Sequence, residues 1–197
     1  MVKTYSKKVN GNTKVSENFK VSEFACKDGS DKILIDTELV ALLQKIRNHF
    51  GKSVSITSAY RNANYNKQIG GASSSQHILG TAADITVSGV SPLEVAQYAE
   101  YCLGNKGGIG LYSNFTHVDV RSKKARWNST SGKEVSVSGF PGYVSVLKNA
   151  DEITWELKHS YFDISDYNGF IEALEAAKKN NSPLYWGYYK LVNGGKG

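Results

Sequence analysis

The sequence predicts a chain of mixed helices and strands on three observations: two amphipathic stretches carry complete helix start and stop signals, short β-branched runs lie between turn residues, and no internal repeat is present. At 197 residues and 40% hydrophobic content, the chain is long enough for one substantial core with a small appendage.

The first helix is expected in "ILIDTELVALLQKIRNHFG", where Leu39, Leu42, Leu43, Ile46 and Phe50 recur on one face. Asp36 is placed to cap it and Gly51 to end it, with Ile35 and Val40 positioned as a hydrophobic staple. The second is "SPLEVAQYAEYCLG", with Ser91 as N-cap, Pro92 in the first turn, Glu94 closing a capping box and Gly104 at the exit. Cys102 shares a stripe with Val95 and Ala99, a structural position; with Cys26, 76 residues away, it makes neither a disulfide framework nor a paired-cysteine zinc motif.

Strands are expected at "SVSITS" and "AADITV", joined by the loop "AYRNANYNKQIGGASSS", and "GGIGLYSNFTHVDVRS" reads as a turn followed by a short strand. Residues 1–22 read as a loosely held basic arm of a first domain, 1–130, and residues 131–142 as a Ser- and Gly-rich linker. Residues 143–197 read as a small α+β domain, with strands at "YVSVL", "ITWEL" and "PLYWGYYKLV" and a helix over "DYNGFIEALEAAKKNN". Its Trp155, Trp186 and "LYWGYY" suit either stacking on sugar rings or filling a small core.

The net charge of +6 is uneven: residues 1–142 hold 18 Lys and Arg against 11 Asp and Glu, whereas residues 143–197 hold 6 against 7. Such a field attracts nucleic acid, anionic membrane or wall polymer alike. The basic residues are scattered rather than interleaved with aromatics, which argues against a nucleic-acid module. No apolar run approaches the ~18 residues of a membrane span, and "MVKTYSKKVNGNTKV" lacks the apolar stretch of a signal peptide, so cytoplasmic synthesis is expected.

The chemistry gathers around "SSSQHILGTAADITV". His77 and Asp84 are seven apart, a spacing that on one continuous strand sends side chains to opposite faces. Gly80 breaks that geometry and lets both approach a common point, as two metal ligands require. In "THVDV", His117 and Asp119 are two apart and face the same way, roughly 6.6 Å apart at about 3.3 Å rise per residue. One is then free to bind a metal while the other reaches the water bound to it. Two imidazoles and one carboxylate are a frequent catalytic zinc set, leaving the fourth position for water whose pKa falls toward ~7.

Between Gly51 and Trp127 the acids are Asp84, Glu94, Glu100 and Asp119, and both glutamates belong to the second helix. With Asp84 as a ligand, Asp119 is the candidate general base. Arg61 follows a strand and is placed to hold a substrate carboxylate or a developing oxyanion. Tyr60, Asn66 and Tyr112 flank the motifs and are candidates to line the cleft, with packing or loop capping as the alternative. His49 and His159 lie outside the set.

These residues carry a resemblance. "SQHILGTAAD" is similar to the Ser-x-His-x-x-Gly-x-Ala-x-Asp signature of the zinc D-alanyl-D-alanine carboxypeptidase family, which includes phage endolysin peptidases. "ITSAYRNANYN" resembles that family's strand and arginine loop, and "GGIGLYSNFTHVDVR" the closing histidine strand of one branch, over about Asn18 to Trp127. The resemblance implies a compact α+β domain with a small antiparallel sheet and flanking helices. His77, Asp84 and His117 would be the Zn2+ ligands, Arg61 would contact substrate, and Ser75 would support the ligand loop. The chain departs from the family at Asn114, where many members place a catalytic acid three residues before the last histidine. Others have His-x-His, and alignment through that pattern would make Asp119 the ligand and His117 the catalytic group.

The expectation is therefore a zinc peptidase acting, as a monomer, on the stem peptide of bacterial peptidoglycan. A phage or prophage lysin released through a holin-type pore suits the basic surface. The alternative is a noncatalytic peptidoglycan-binding protein that retains the zinc-binding fold.

Overall fold

The computed structural model of the chain describes residues 1–140. They belong to a first unit, Met1–Gly142, followed by a second, Tyr143–Gly197. All the strands and the helix expected beyond residue 142, and the wall-binding role suggested for that region, lie outside the described residues.

A two-stranded sheet pairs β1 (Val2–Ser6) with β2 (Lys32–Asp36). The main sheet has six strands in the order β3 (Val54–Ser58), β4 (Ala82–Val87), β6 (Thr116–Asp119), β5 (Gly108–Leu111), β7 (Ala125–Asn128) and β8 (Val135–Ser136). It is antiparallel, as expected, apart from the parallel β5–β7 pair. The helices are α1 (Lys7–Asn10), α2 (Thr37–Phe50), α3 (Ala63–Gln68) and α4 (Pro92–Leu103), with a 3-10 turn at Val21–Phe24.

Both expected helices form with the expected signals. The Asp36 side chain accepts the Glu38 N–H at 2.7 Å, and Gly51 ends α2 at φ 60°, a left-handed conformation that favours glycine. Ser91 and Glu94 form the capping box of α4. The apolar stripes of these helices, Leu39, Leu43 and Ile46 from α2 and Val95, Ala96 and Ala99 from α4, are buried in one core with Phe19, Val21 and Phe24. Each of the larger ones contributes about 1.5–3 kcal/mol by leaving water.

The period-2 alternation of the sheet separates two surfaces. Ala83, Ile85, Thr116, Val118, Ile109 and Leu111 face the core, and the Thr116 hydroxyl donates to the Pro92 carbonyl at the start of α4. The intervening residues make a row across the opposite surface. Ser58 pairs with Asp84, Asp84 with His117, His117 with Gly110, Gly110 with Trp127, and Trp127 with Ser136.

Four sequence expectations are corrected. The N-terminal segment is no loose arm: β1 pairs with β2 along its full length, and Phe19 and Val21 enter the core. The loop after β3 contains α3, whose N-cap Asn62 accepts the Tyr65 N–H. "GGIGLYSNFTHVDVRS" forms two strands, because Tyr112 to Phe115 turn the chain back on itself. Within the expected linker, β8 pairs with β7, and Phe140 is buried with its N–H on Glu100.

Candidate metal centre

The ligand loop is shaped by its glycine. Gly80 has φ +72°, and a β-carbon there would lie 2.5 Å from the Leu34 carbonyl oxygen of β2. The return turn thus depends on glycine for conformation and space alike. Around it the Ser75 hydroxyl accepts the His77 N–H at 3.3 Å, and the His77 carbonyl accepts from Arg61 and Gly80. Ser75 therefore sits where a hydrogen bond holds the loop.

His77, Asp84 and His117 converge. His77 Nε2 lies 3.2 Å from His117 Nδ1 and 3.3 Å from Asp84 Oδ1, and His117 Nδ1 lies 2.9 Å from Asp84 Oδ1. All three residues are buried. For tetrahedral zinc with bonds of roughly 2.0–2.1 Å, neighbouring ligand atoms stand about 3.3 Å apart. The observed triangle matches that requirement closely, so the donor set fits the ion.

The outer atoms of both imidazoles are fixed. His77 Nδ1 donates to the Ala59 carbonyl at 2.7 Å, which leaves Nε2 as the lone-pair nitrogen facing the centre. His117 Nε2 donates to Asp119 Oδ2 at 3.1 Å, which leaves Nδ1. An acceptor behind each metal-facing imidazole is the arrangement that orients a ligating histidine and raises its basicity.

Asp119, the candidate general base, stands in that geometry at the outer nitrogen of His117. It lies in the sheet, 0% exposed, behind His117 rather than across the centre from it. Its oxygens accept from the Gly108 and Arg121 backbone N–H groups and from the Arg121 side chain, as well as from His117. Nor does it join the ligand triangle, the other role open to it, since the three residues whose ligand atoms gather are His77, Asp84 and His117. Asn114 is exposed beside the hairpin turn.

Arg61 also holds a ligand. Its Nη2 meets Asp84 Oδ2 at 2.6 Å and its Nε donates to Ser58 Oγ at 2.8 Å, leaving Asp84 Oδ1 to the centre. A β-bulge enables this: Ile56 pairs with Ile85 but Ser58 pairs with Asp84, so the extra residue, Thr57, turns the end of β3 toward the site.

Tyr60 and Asn66 do not line a cleft. Tyr60 is 7% exposed within the core, and Asn66, 1% exposed, donates its amide to the Ala72 carbonyl and holds the loop. Tyr112 is half-buried on the metal side, stacked on Phe115 with ring centroids 4.2 Å apart. Its oxygen accepts the Trp127 indole N–H at 3.1 Å.

Trp127 and Arg121 escape sequence reasoning. Trp127 approaches the His117 ring with centroids 5.0 Å apart, and the Arg121 guanidinium lies 5.8 Å from its ring centroid. The signal was the Gly-x-Gly of β5. A β-carbon on Gly108 would fall 2.0 Å from Asp119 Oδ2, and one on Gly110 2.4 Å from Trp127 Cε2. The two glycines clear the metal face of β5 so that the carboxylate and the indole reach His117.

Electrostatics follow from this packing. Burial lowers the pKa of His117, but hydrogen bonds and charges from Asp119 and Asp84 outweigh it and raise the value to about 9. For Asp84, burial is opposed by His117 and His77, and for Asp119 by His117 and Arg121; both carboxyls end well below the usual range.

The profile of the family described as Peptidase M15 matches residues 16–119, more than half of the chain. No curated protein matches it. The matched span covers β2 through β6 and includes all three converging residues.

Proposed function

Because the chain belongs to the peptidase M15 family, we propose that its first domain is a zinc-dependent peptidase that hydrolyses a peptide bond in the stem peptide of bacterial peptidoglycan, either as a D-Ala-D-Ala carboxypeptidase or as an endopeptidase. The observation that carries the reading is the triangle of His77 Nε2, Asp84 Oδ1 and His117 Nδ1, with edges of 2.9 to 3.3 Å. Zinc held by these atoms supplies Lewis acidity and lowers the pKa of water toward ~7.

The chain's own groups orient and bind. Asp119 fixes the tautomer and plane of His117, and Arg61 fixes Asp84. Arg61 gives Nε and Nη2 to Ser58 and Asp84, so Nη1 is its group for a substrate carboxylate or carbonyl. Tyr112 accepts from Trp127 and keeps its own proton to donate to a substrate oxygen. A lysin of phage or prophage origin, working as a monomer and reaching the wall through a holin-type pore, agrees with the charge of residues 1–142.

A second reading has a specific observation behind it: Asp119 is enclosed and Asn114 stands where many relatives of this type carry an acid. A noncatalytic protein that binds stem peptides would need no base. Digestion of peptidoglycan by the zinc-loaded chain, followed by mass spectrometry of the released fragments, separates the two. The peptidase releases new amine ends, and His117→Ala abolishes the release. One zinc per chain with no new amine ends overturns the peptidase, and retention of that zinc-loaded chain on peptidoglycan then favours the binder.

A further inference from the structure

The end of β3 and the turn after it brace two of the three converging residues. In residues 57–61 the Thr57 hydroxyl donates to the Asp84 carbonyl at 3.0 Å, the Ala59 carbonyl accepts from His77 Nδ1 at 2.7 Å, and the Arg61 N–H donates to the His77 carbonyl at 3.1 Å. The buried Tyr60 side chain, and the Tyr60 N–H on the Phe24 carbonyl, fix this segment to the core. His77 is thus held by backbone groups of the segment. The carboxylate of Asp84 is met by a side chain instead: Arg61 Nη2 stands 2.6 Å from Oδ2, with its Nε on Ser58 Oγ at 2.8 Å.

That difference decides how many atoms the centre offers an ion. An imidazole gives one ion one nitrogen, and the outer nitrogens of His77 and His117 are engaged by the Ala59 carbonyl and Asp119. A carboxylate binds an ion through one oxygen or through both. Asp84 is therefore the member of the triangle able to raise the ligand count, and Arg61 occupies the oxygen it would use. Three protein atoms suit a four-coordinate ion such as zinc with its fourth position open. Manganese(II) favours six ligands and oxygen donors.

We propose that Arg61 is a metal-specificity residue: by holding Asp84 Oδ2 it confines Asp84 to a single ligating oxygen and sets the centre for a four-coordinate ion over one that takes six ligands. The inference rests on the metal centre of the peptidase reading and gives Arg61 a positioning role besides its contact with substrate.

The test is titration of the metal-free full chain with zinc, manganese(II) and cobalt(II), each alone. The wild type is expected to give the strong visible absorption of four-coordinate cobalt(II). Arg61→Ala frees the second oxygen of Asp84 and leaves the backbone supports of His77 in place. Zinc affinity should then fall about ten- to a hundredfold, as on loss of other partners of metal ligands, while manganese affinity holds or rises and the cobalt absorption weakens. Ser58→Ala keeps the guanidinium and removes only the partner of its Nε. A smaller change in the same direction is expected there, and this variant carries the test if Arg61→Ala does not fold. An equal loss for zinc and manganese, the result of a general loosening of the site, overturns the inference, and so does an unchanged cobalt spectrum. A shift in selectivity as expected, with no amine ends released from peptidoglycan by the zinc-loaded wild type, overturns the peptidase and leaves the specificity role standing. Release by the wild type with an unmoved zinc-to-manganese ratio in the variants does the reverse.

Discussion

Asp119 shows how one residue's role turns on which nitrogen it meets. Period-2 spacing places it beside His117, but His117 has two nitrogens, and β5 decides between them. Gly108 leaves the space, and Arg121 locks the carboxylate behind the ring. Asp119→Asn should therefore lower zinc affinity about ten- to a hundredfold, as loss of a partner behind a ligating histidine does. Competition with a chelator measures it; a fall in kcat with zinc affinity unchanged would restore the role of base. The pKa of about 9 at His117 carries a second expectation. His117 must lose its proton to ligate, so below about pH 9 zinc binding releases a proton and apparent affinity weakens as pH falls, by up to about tenfold per unit. Titrations in buffers of different ionisation enthalpy count the protons released.

Two contacts between elements hold the sheet in its working shape. Trp127 of β7 crosses β5 through the gap that Gly110 leaves, so Gly110→Ala should destabilise the domain by about 1–3 kcal/mol through overpacking. A lower urea midpoint with altered tryptophan fluorescence reports it, and an unchanged midpoint and spectrum would refute the packing argument. On the core side, Arg126 of β7 meets Glu100 of α4, and its remaining N–H groups cap the Gly104, Lys106 and Gly107 carbonyls past the end of α4. Glu100→Gln removes the charge opposite a buried guanidinium and should cost about 3–5 kcal/mol, read as a loss of denaturant stability. The capped helices, β3 and β4 were legible in the sequence because each carries local signals: Asp36 and Gly51, Ser91 and Glu94, and β-branched runs. β1 and β7 were not, since "VKTYS" and "ARWN" are too short and polar to announce strands and gain that identity from their partners.

For the whole molecule, the site was legible where residue type limited the choice and obscure where distant strands decide it. His77, Asp84 and His117 are among few residues able to ligate a metal, and Gly80 announces the turn that joins the first two. Trp127 enters the site through the parallel pairing of β5 and β7, which no local pattern reveals. Ion binding to the folded state alone stabilises it by mass action, so zinc at about a thousandfold over its dissociation constant should add roughly 4 kcal/mol. For a domain of this size that is on the order of 10 °C in melting temperature, lost again on chelation; equal melting with and without zinc would contradict it. The most direct measurement is an anomalous difference map at the zinc edge from crystals of the loaded chain. One strong peak is expected at bonding distance, roughly 2.0–2.1 Å, from His77 Nε2, Asp84 Oδ1 and His117 Nδ1, with Asp119 still on the far nitrogen. A peak bound through Asp119, or none within reach of these three atoms, would contradict it.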